Sequence, residues 1–372
     1  MRTRTMVIGG GIGGTATALA LHKAGFEVVV HEAHPDSAED LGAFLTLASN
    51  GVRALSQLDA GAAATGTGFE LTSLRLLDAT GAEVGRAPLG ETGDPSLRYR
   101  CLRRGDLNAA LQAEAARRGI EVRHGARLAS VEEGPAGVTA RFADGTRATA
   151  ELLVGADGLH STVRETVAPG VRPVPAGQRV LYGYTRGARP SGDGAQITMV
   201  RGSATNFGYA VSPGGETYWF ARVADGPAVA AGAAAREALL ALLEKDDGPA
   251  AEIVAATGDD VLVTDATEIP VGTPWRTART VLLGDAAHAA SPATGQGASM
   301  ALEDAVVLAK SLRRTADRAA ALARYEALRR PRVDHNTTVS GALSRGERPN
   351  GAPRPGEEEL VRLLDWEAPL PD

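Results

Sequence analysis

The sequence predicts an α/β fold in two parts, on three observations. The chain opens with a strand, a glycine-rich turn, a helix and a second strand ending in an acid, TMVIGGGIGGTATALALHKAGFEVVVHE over residues 5 to 32. Further on, LLGDAAHAASPATGQGASMALEDA (282–305) repeats the logic: an apolar run stops at Gly284-Asp285 and a glycine-led helix follows. Between them, residues 179 to 223 alternate in polarity and collect seven aromatics. The first two patterns suit one parallel sheet and the third an antiparallel one. The reading is a Rossmann-like dinucleotide-binding domain with an inserted, mostly antiparallel β-sheet domain and C-terminal helices.

Composition agrees. The 372 residues suffice for one large or two modest domains, with 44% hydrophobic and 23% charged residues. A net charge of −6 and the lack of a basic stretch argue against nucleic acid as a partner. Positive charge is nearly all Arg, the lysines being Lys23, Lys245 and Lys310. Cys101 is the only cysteine, which excludes structural disulfides and CxxC-type redox or metal chemistry. No metal site is expected. MRTRT leads straight into a strand, so no signal peptide is read, and no run of about 18 apolar residues suggests a membrane span. A cytoplasmic monomer or homodimer is the expectation.

Taken in order, Met6-Val7-Ile8 is a short apolar strand, and Gly9, Gly11 and Gly14, with Gly13 among them, form G-x-G-x-x-G. These glycines allow a tight turn, backbone approach to a pyrophosphate and close helix–strand packing. Residues 13 to 24 have helical spacing, Gly25 stops the helix, and Phe26 to Val30 form a second strand ending at Glu32. The helix start offers free N–H groups to an anion, and Glu32 can accept from a ribose 2′-OH. An acid there disfavours a 2′-phosphate, so the site suits FAD or NAD and not NADP.

LTSLRLLDATGAEVGRAPL (71–89) reads as a hairpin around Gly81, and 103–119 as a helix stopped by Gly119. Arg103 and Arg104 stand at that helix's positive end, where cations are disfavoured. Either an anion lies nearby or both are solvated. Residues 121 to 158 read as successive strands turning at Gly134-Pro135 and Asp144-Gly145 and ending in Gly155-Ala156-Asp157-Gly158. Ser161 and Thr162 suit caps of a short helix. The aromatics Tyr182, Tyr184, Phe207, Tyr209, Tyr218, Trp219 and Phe220 suggest a sheet with one aromatic face. Helices broken near Asp247-Gly248-Pro249 follow, then a strand into Pro270 and Trp275, the 280–283 strand, the 297–314 helix and a charged helical stretch over 317–345. The tail ERPNGAPRPGEEE is expected to be mobile, with LVRLLDW able to dock.

A buried strand ending on a lone acid and feeding a glycine-led helix places a carboxylate and free N–H groups at the carboxyl edge of the sheet, where α/β folds bind ligands. Asp285 can accept from ligand hydroxyls, and the N–H groups around Gly295, Gln296 and Gly297 can face developing negative charge. A reduced flavin ring carries that charge and a nicotinamide does not, so the arrangement suits a flavin. Asp285 would meet the sugar-alcohol chain, the helix start would meet the pyrimidine end of the ring, and Pro292 would fix the loop.

GxGxxG with Glu32, the RGDL stretch (104–107), the Asp-Gly of VGADG and GDAAHAASPATGQG together resemble the FAD-dependent aromatic hydroxylases, the single-component, para-hydroxybenzoate-hydroxylase-like flavin monooxygenases, in a short form without a C-terminal thioredoxin-like domain. YWFARV is closer to the salicylate-hydroxylase and zeaxanthin-epoxidase branch. The resemblance spans roughly residues 5 to 335. It implies that Gly9, Gly11, Gly14 and Glu32 hold the ADP half of FAD, that Arg104 meets the pyrophosphate, that Asp157, followed by Gly158, lies at the FAD and nicotinamide approach, and that Asp285, following Gly284, sits on the ribityl chain. It implies NADH or NADPH as transient co-substrate, and O2 as co-substrate that reacts through a C4a-hydroperoxyflavin to hydroxylate or epoxidise an aromatic or polyketide-like small molecule. The family often has an Arg shortly after the ribose acid, and none occurs here from 33 to 52.

The expected division assigns 1–70, 101–165 and 276–316 to the FAD-binding domain, 71–100 and 166–275 to the substrate domain, and 317–372 to a C-terminal helical segment and tail. No catalytic base stands out. His288 suits a structural or capping role better than an acid/base one. Tyr184, Arg186, Tyr209, Trp219 and Arg222 are candidate substrate contacts, or else plain sheet packing. A flavin oxidase, reductase or halogenase of the same fold is the alternative, though the halogenase WxWxIP stretch is absent. A non-catalytic relative binding prenylated partners is disfavoured by the intact Gly284-Asp285 motif.

Overall fold

The structure is a computed structural model and describes residues 3–37, 42–90, 93–190, 194–226, 230–315, 317–347 and 356–371. The first unit is β1 (Arg4–Ile8), α1 (Ile12–Lys23) and β2 (Glu27–His31), with Gly25 at φ +91° ending the helix as expected. Next come β3 (Phe44–Leu47), α2 (Ser49–Gln57), α3 (Gly61–Thr65), β4 (Phe69–Leu71), the β5 (Ser73–Leu77)–β6 (Glu83–Pro88) hairpin, β7 (Tyr99–Arg103) and α4 (Arg104–Arg117). Five strands follow: β8 (Glu121–Arg123), β9 (Leu128–Gly134), β10 (Gly137–Phe142), β11 (Arg147–Ala150) and β12 (Leu152–Gly155). Then come α5 (Val163–Val167), the long strand β13 (Val174–Thr185), β14 (Gln196–Arg201), β15 (Thr205–Val211) and β16 (Thr217–Ala224). The chain continues through α6 (Ala233–Leu243), α7 (Ala250–Ala255), β17 (Leu262–Glu268), β18 (Thr280–Leu282), α8 (Asp285–His288), α9 (Gly297–Arg314), α10 (Arg318–Ser344) and α11 (Glu357–Leu364).

Five parallel strands form one sheet in the order β18-β12-β1-β2-β8. β12 and β18 are buried along their whole length, as strands covered on both faces must be. The register sets Ile8 beside Gly155 and Gly155 beside Leu282. Three motifs far apart in sequence therefore leave the sheet side by side, at its carboxyl edge. The second sheet has seven strands, β17-β13-β16-β15-β14-β5-β6, antiparallel except where β14 runs parallel to β5. Two three-stranded sheets, β11-β10-β9 and β3-β7-β4, complete the β structure of the described residues.

The seven aromatics do not share one face. Direct cross-strand pairs place Tyr182 opposite Phe220 and Tyr184 opposite Tyr218 on one side of the sheet. Tyr209 opposite Trp219 lies on the other, where Phe207, Tyr209 and Trp219 form a core with Leu239, Leu243, Ile253 and Val254 of α6 and α7. Successive strand residues point to opposite faces, so the run Tyr218-Trp219-Phe220 had to divide between the two.

α11 docks as the apolar LVRLLDW stretch predicts: Lys310 Nζ donates to the carbonyls of Leu363 (2.6 Å) and Asp365 (2.5 Å), and Trp366 is buried between Lys23 and Arg313. Residues 348–355, within the stretch expected to be mobile, lie outside the described residues. No described helix is long and apolar enough to cross a membrane.

Cys101 is fully buried on β7, and burial pushes its thiol well above the ordinary range. Since the thiolate is the reactive species, the native protein is expected to resist iodoacetamide at pH 8 and to take one label after denaturation. Rapid native labelling, followed by mass spectrometry, would contradict this packing.

Candidate active site

At the carboxyl edge of the parallel sheet each glycine of the first turn has a distinct surrounding. Gly9 has φ +104°, and a Cβ there would lie 2.3 Å from the Ala156 carbonyl oxygen; a Cβ on Gly14 would lie 1.9 Å from the Gly9 carbonyl oxygen. These two positions admit no side chain. Gly13 faces the Ala301 methyl of α9, where a Cβ would come within 3.1 Å. Gly11 meets nothing within 4 Å, so the turn is tight on its inner side and open on the side from which a ligand backbone would approach. The N–H groups of the first turn of α1 point into that opening. Glu32 accepts from the backbone N–H of Gly10 and of His34 (2.7 Å), which fixes its carboxylate at the end of β2 with lone pairs to spare. Gln112 of α4, not singled out in the sequence, donates to the Gly10 carbonyl (2.7 Å) and steadies the turn.

The second turn has Gly284 at φ +55°, where its N–H donates to Asp304 Oδ2 (3.0 Å). Asp285 is exposed, and its carboxylate has no partner among the described residues; its Oδ1 is 4.0 Å from where a Cβ on Gly297 would stand. Pro292 begins a short 3-10 turn, and Gly295 follows in the left-handed conformation, φ +65°. α9 then starts at Gly297, its first N–H groups free of intrahelical partners. Gln296 accepts from Asn50 Nδ2 (3.1 Å), which also donates to Glu303 (2.6 Å). The sequence motif thus places a free acid and a free helix start together.

His288 is structural. Its Nε2 lies 2.6 Å from Asp304 Oδ2, and Arg329 Nε donates to Asp304 Oδ1 at 2.8 Å. Arg329 also lies 2.6 Å from Glu303 as an ion pair, and Arg332 grips Glu303 with two hydrogen bonds of 2.9 Å. Glu303, Asp304 and Arg329 are all 0% exposed. Burial alone would raise the Asp304 carboxyl, yet the charges of His288 and Arg329 outweigh it and hold the group below its ordinary value. This network underlies the second turn, and none of its members except His288 stood out in the sequence.

Asp157 follows β12 with its side chain turned inward. It accepts from Ser161 Oγ (2.5 Å) and from the N–H groups of Thr162 (2.7 Å) and Val163 (3.1 Å), capping α5. Ser161 accepts from the Arg164 N–H (2.9 Å), whereas the Thr162 side chain makes no cap. Ser161 therefore caps as expected and Thr162 does not, because Asp157 reaches the helix start first. Gly158, at φ +75°, is open on its Cβ side. The two arginines at the start of α4 separate. Arg103 pairs with Glu216 (3.0 Å) and lies 3.9 Å from the Tyr184 ring centre; the Arg104 side chain is exposed and makes no hydrogen bond or ion pair with the described residues.

One face of the seven-stranded sheet looks toward these turns. Along it run Arg222, then Tyr182 with Phe220, then Tyr184 with Tyr218. Arg222 Nη1 donates to the Ala293 carbonyl (3.0 Å) in the second turn, while its buried Nε has no partner. Burial lowers the pKa of this guanidinium, and no carboxylate pairs with it among the described residues. The buried Tyr184 hydroxyl is also unpartnered. Burial pushes Tyr184 up to about 12, against the opposing pull of Arg103, so it is a donor at neutral pH.

Three other candidates do not reach this face. Trp219 is stacked on Phe207 and donates Nε1–H to Thr257 (2.9 Å); Tyr209 shares that core; Arg186 is largely exposed and donates to the Gly214 carbonyl (3.0 Å) beyond the end of β13. Trp219 and Tyr209 occupy the opposite side of the sheet, and Arg186 lies past its edge. Phe44, unremarked in the sequence, does reach it. Among the described residues there is no cluster of metal-ligating side chains.

A glycine turn open on one side, an adjacent free acid and helix start, and an aromatic face with an unpartnered buried guanidinium nitrogen suit a flavin-binding oxidoreductase. Residues 2–340 match the model of the FAD binding domain family, and the chain belongs to this family of FAD-dependent monooxygenases, with FAD as cofactor. It is 32% identical to the aurachin C monooxygenase/isomerase of Stigmatella aurantiaca, across 92% of this chain and 88% of that one. It is 35% identical to the 3-amino-4-hydroxybenzoate 2-monooxygenase PtnB3 of Streptomyces platensis, across 89% and 85%. Its fold matches HpxO of Klebsiella pneumoniae, solved with FAD and uric acid, with a TM-score of 0.82 and 27% identity over 98% of this chain and 93% of that one.

Proposed function

We propose that the protein is a single-component monooxygenase that uses NADH or NADPH and O2 to hydroxylate or epoxidise a small aromatic or conjugated, polyketide-like molecule. The observation that carries this reading is the aromatic face of Arg222, Tyr182, Phe220, Tyr184 and Tyr218, whose Arg222 Nε and Tyr184 hydroxyl are buried and unpartnered. Orphaned buried donors cost free energy unless a ligand meets them. The relatives named for action on an aminohydroxybenzoate and solved with uric acid support a planar, oxygen-bearing substrate.

Bound flavin supplies hydride acceptance from the nicotinamide and activation of O2. The chain supplies binding, orientation and dryness. Gly9, Gly11, Gly13, Gly14 and Glu32 take the ADP half, Arg104 the pyrophosphate, Asp285 the ribityl hydroxyls, and the N–H groups of Gly295, Gln296 and Gly297 the pyrimidine end, with Gly284 and Pro292 shaping that loop. Asp157 and Gly158 form the floor between the turns, the carboxylate of Asp157 acting through α5. The Tyr184 hydroxyl donates a hydrogen bond to a substrate oxygen. Arg222 places positive charge where negative charge develops. The surrounding rings exclude water.

The test is direct. Acid precipitation should release FAD to the supernatant, since no flavinylation site is evident, and planar phenols should stimulate NAD(P)H oxidation. Flavin retained in the pellet would refute non-covalent binding. NAD(P)H oxidation indifferent to every compound in a broad phenol and polyketide panel would refute the substrate class.

A further inference from the structure

Phe44 lies on β3, in the wall opposite the aromatic face. Its ring centre is 5.6 Å from that of Tyr218, 6.1 Å from Phe220, and 6.2 Å from both Tyr182 and Tyr184. One ring therefore meets all four rings of the face, and it is nearly buried doing so. On the same strand Thr46 stands 3.4 Å from where a Cβ on Gly295 would be. Residues two apart on a strand share a face at a spacing of about 6.6 Å. Phe44 is thus one step along β3 from the second turn and packs against the rings of the face. Gly208 lets the Phe220 ring lie flat against the sheet, since a Cβ there would meet that ring at 2.4 Å.

We infer that Phe44 determines substrate size: its side chain fills the ring position nearest the second turn and limits the cleft to small planar molecules, and its truncation admits one more fused ring. This rests on the aromatic-substrate reading of the same face. Tyr184 supplies a donor beside these rings, so the ligand the face selects is planar and carries an oxygen or nitrogen acceptor. A cavity lined by apolar groups accepts a ring of matching size, and one missing or extra methylene shifts discrimination by about 10-fold or more.

The experiment measures dissociation constants of phenol and 2-naphthol for the FAD-loaded protein, from the perturbation of flavin absorbance, in the parent and in Phe44→Ala, Phe44→Leu and Phe44→Trp. FAD content and melting temperature are recorded for each. The ratio of naphthol to phenol affinity should rise about 10-fold or more in Phe44→Ala, rise less in Phe44→Leu, and fall in Phe44→Trp. If Phe44→Ala does not fold, the opposite changes of the Leu and Trp variants carry the same test. A ratio within twofold of the parent in every folded, FAD-loaded variant that binds both ligands would overturn the inference and leave the proposed function standing. Failure of either ligand to perturb the flavin in any FAD-loaded protein, parent included, would overturn the aromatic-cleft reading and the inference with it.

Discussion

Asp304→Ala is expected to destabilise the folded protein by about 3–5 kcal/mol, the usual cost of removing one partner of a buried ion pair. The residue pairs with His288 at 2.6 Å and Arg329 at 2.8 Å and accepts from the Gly284 N–H at 3.0 Å, all in a region closed to solvent. Alanine would leave the Arg329 guanidinium without its main hydrogen-bonded acceptor and the second turn without its anchor. Glu303, 2.6 Å from Arg329, would retain part of the neutralisation, so the loss should fall within that range and not exceed it. The pH dependence follows from sign. The folded-state carboxyl is held below its unfolded value, so this contribution is present in full above the ordinary carboxylate range and is lost as pH falls toward the folded value. Urea unfolding of parent and variant at pH 7 and below the ordinary carboxylate range, near pH 2.5, measures both. A loss under about 1 kcal/mol at pH 7 would mean that the network does not hold the turn.

Asp285→Ala should behave in the opposite way: apoprotein stability within about 0.5 kcal/mol of the parent, and most of the flavin gone. The side chain is exposed and spends nothing on the fold, having no partner among the described residues. A charge-assisted hydrogen bond to a ligand is worth about 1.5–3 kcal/mol, which corresponds to roughly 10- to 100-fold in Kd. FAD content after desalting, with melting of the apo form, distinguishes the two effects. Full flavin occupancy in the variant would remove Asp285 from the cofactor site.

The contrast between these neighbours marks how far the sequence could be read. Gly9 to Glu32 and Gly284 to Gly297 are legible because each motif is local: a strand end, a turn that only glycine permits and a helix start lie within a few residues. That Gly9, Ala156 and Gly284 emerge side by side follows from the parallel sheet. Arg329 gives no such signal. It stands in ALRRPR, which reads as a solvated charged face, and only the fold brings it 2.8 Å from Asp304. Lys310 is hidden for the same reason, its charge capped by the carbonyls of Leu363 and Asp365 at the end of α11. The aromatic block is legible in the sequence, but its division between the two faces is not fully so. Strand period alone separates Trp219 from Tyr218 and Phe220, whereas placing Tyr209 and Trp219 beneath α6 and α7 needs the pairing register. Phe44 lies outside that block, in a four-residue strand whose meeting with Tyr218 and Phe220 depends on the packing of one sheet against another.

The central claim, oxygen transfer from O2 to a planar substrate on this face, is tested most directly by product mass under isotopically labelled oxygen gas. With a phenol or polyketide that stimulates NAD(P)H oxidation, the product is predicted to carry one labelled oxygen atom. Stimulated NAD(P)H oxidation that yields only unlabelled product would contradict the account and identify the protein as a flavin oxidase or reductase of the same fold.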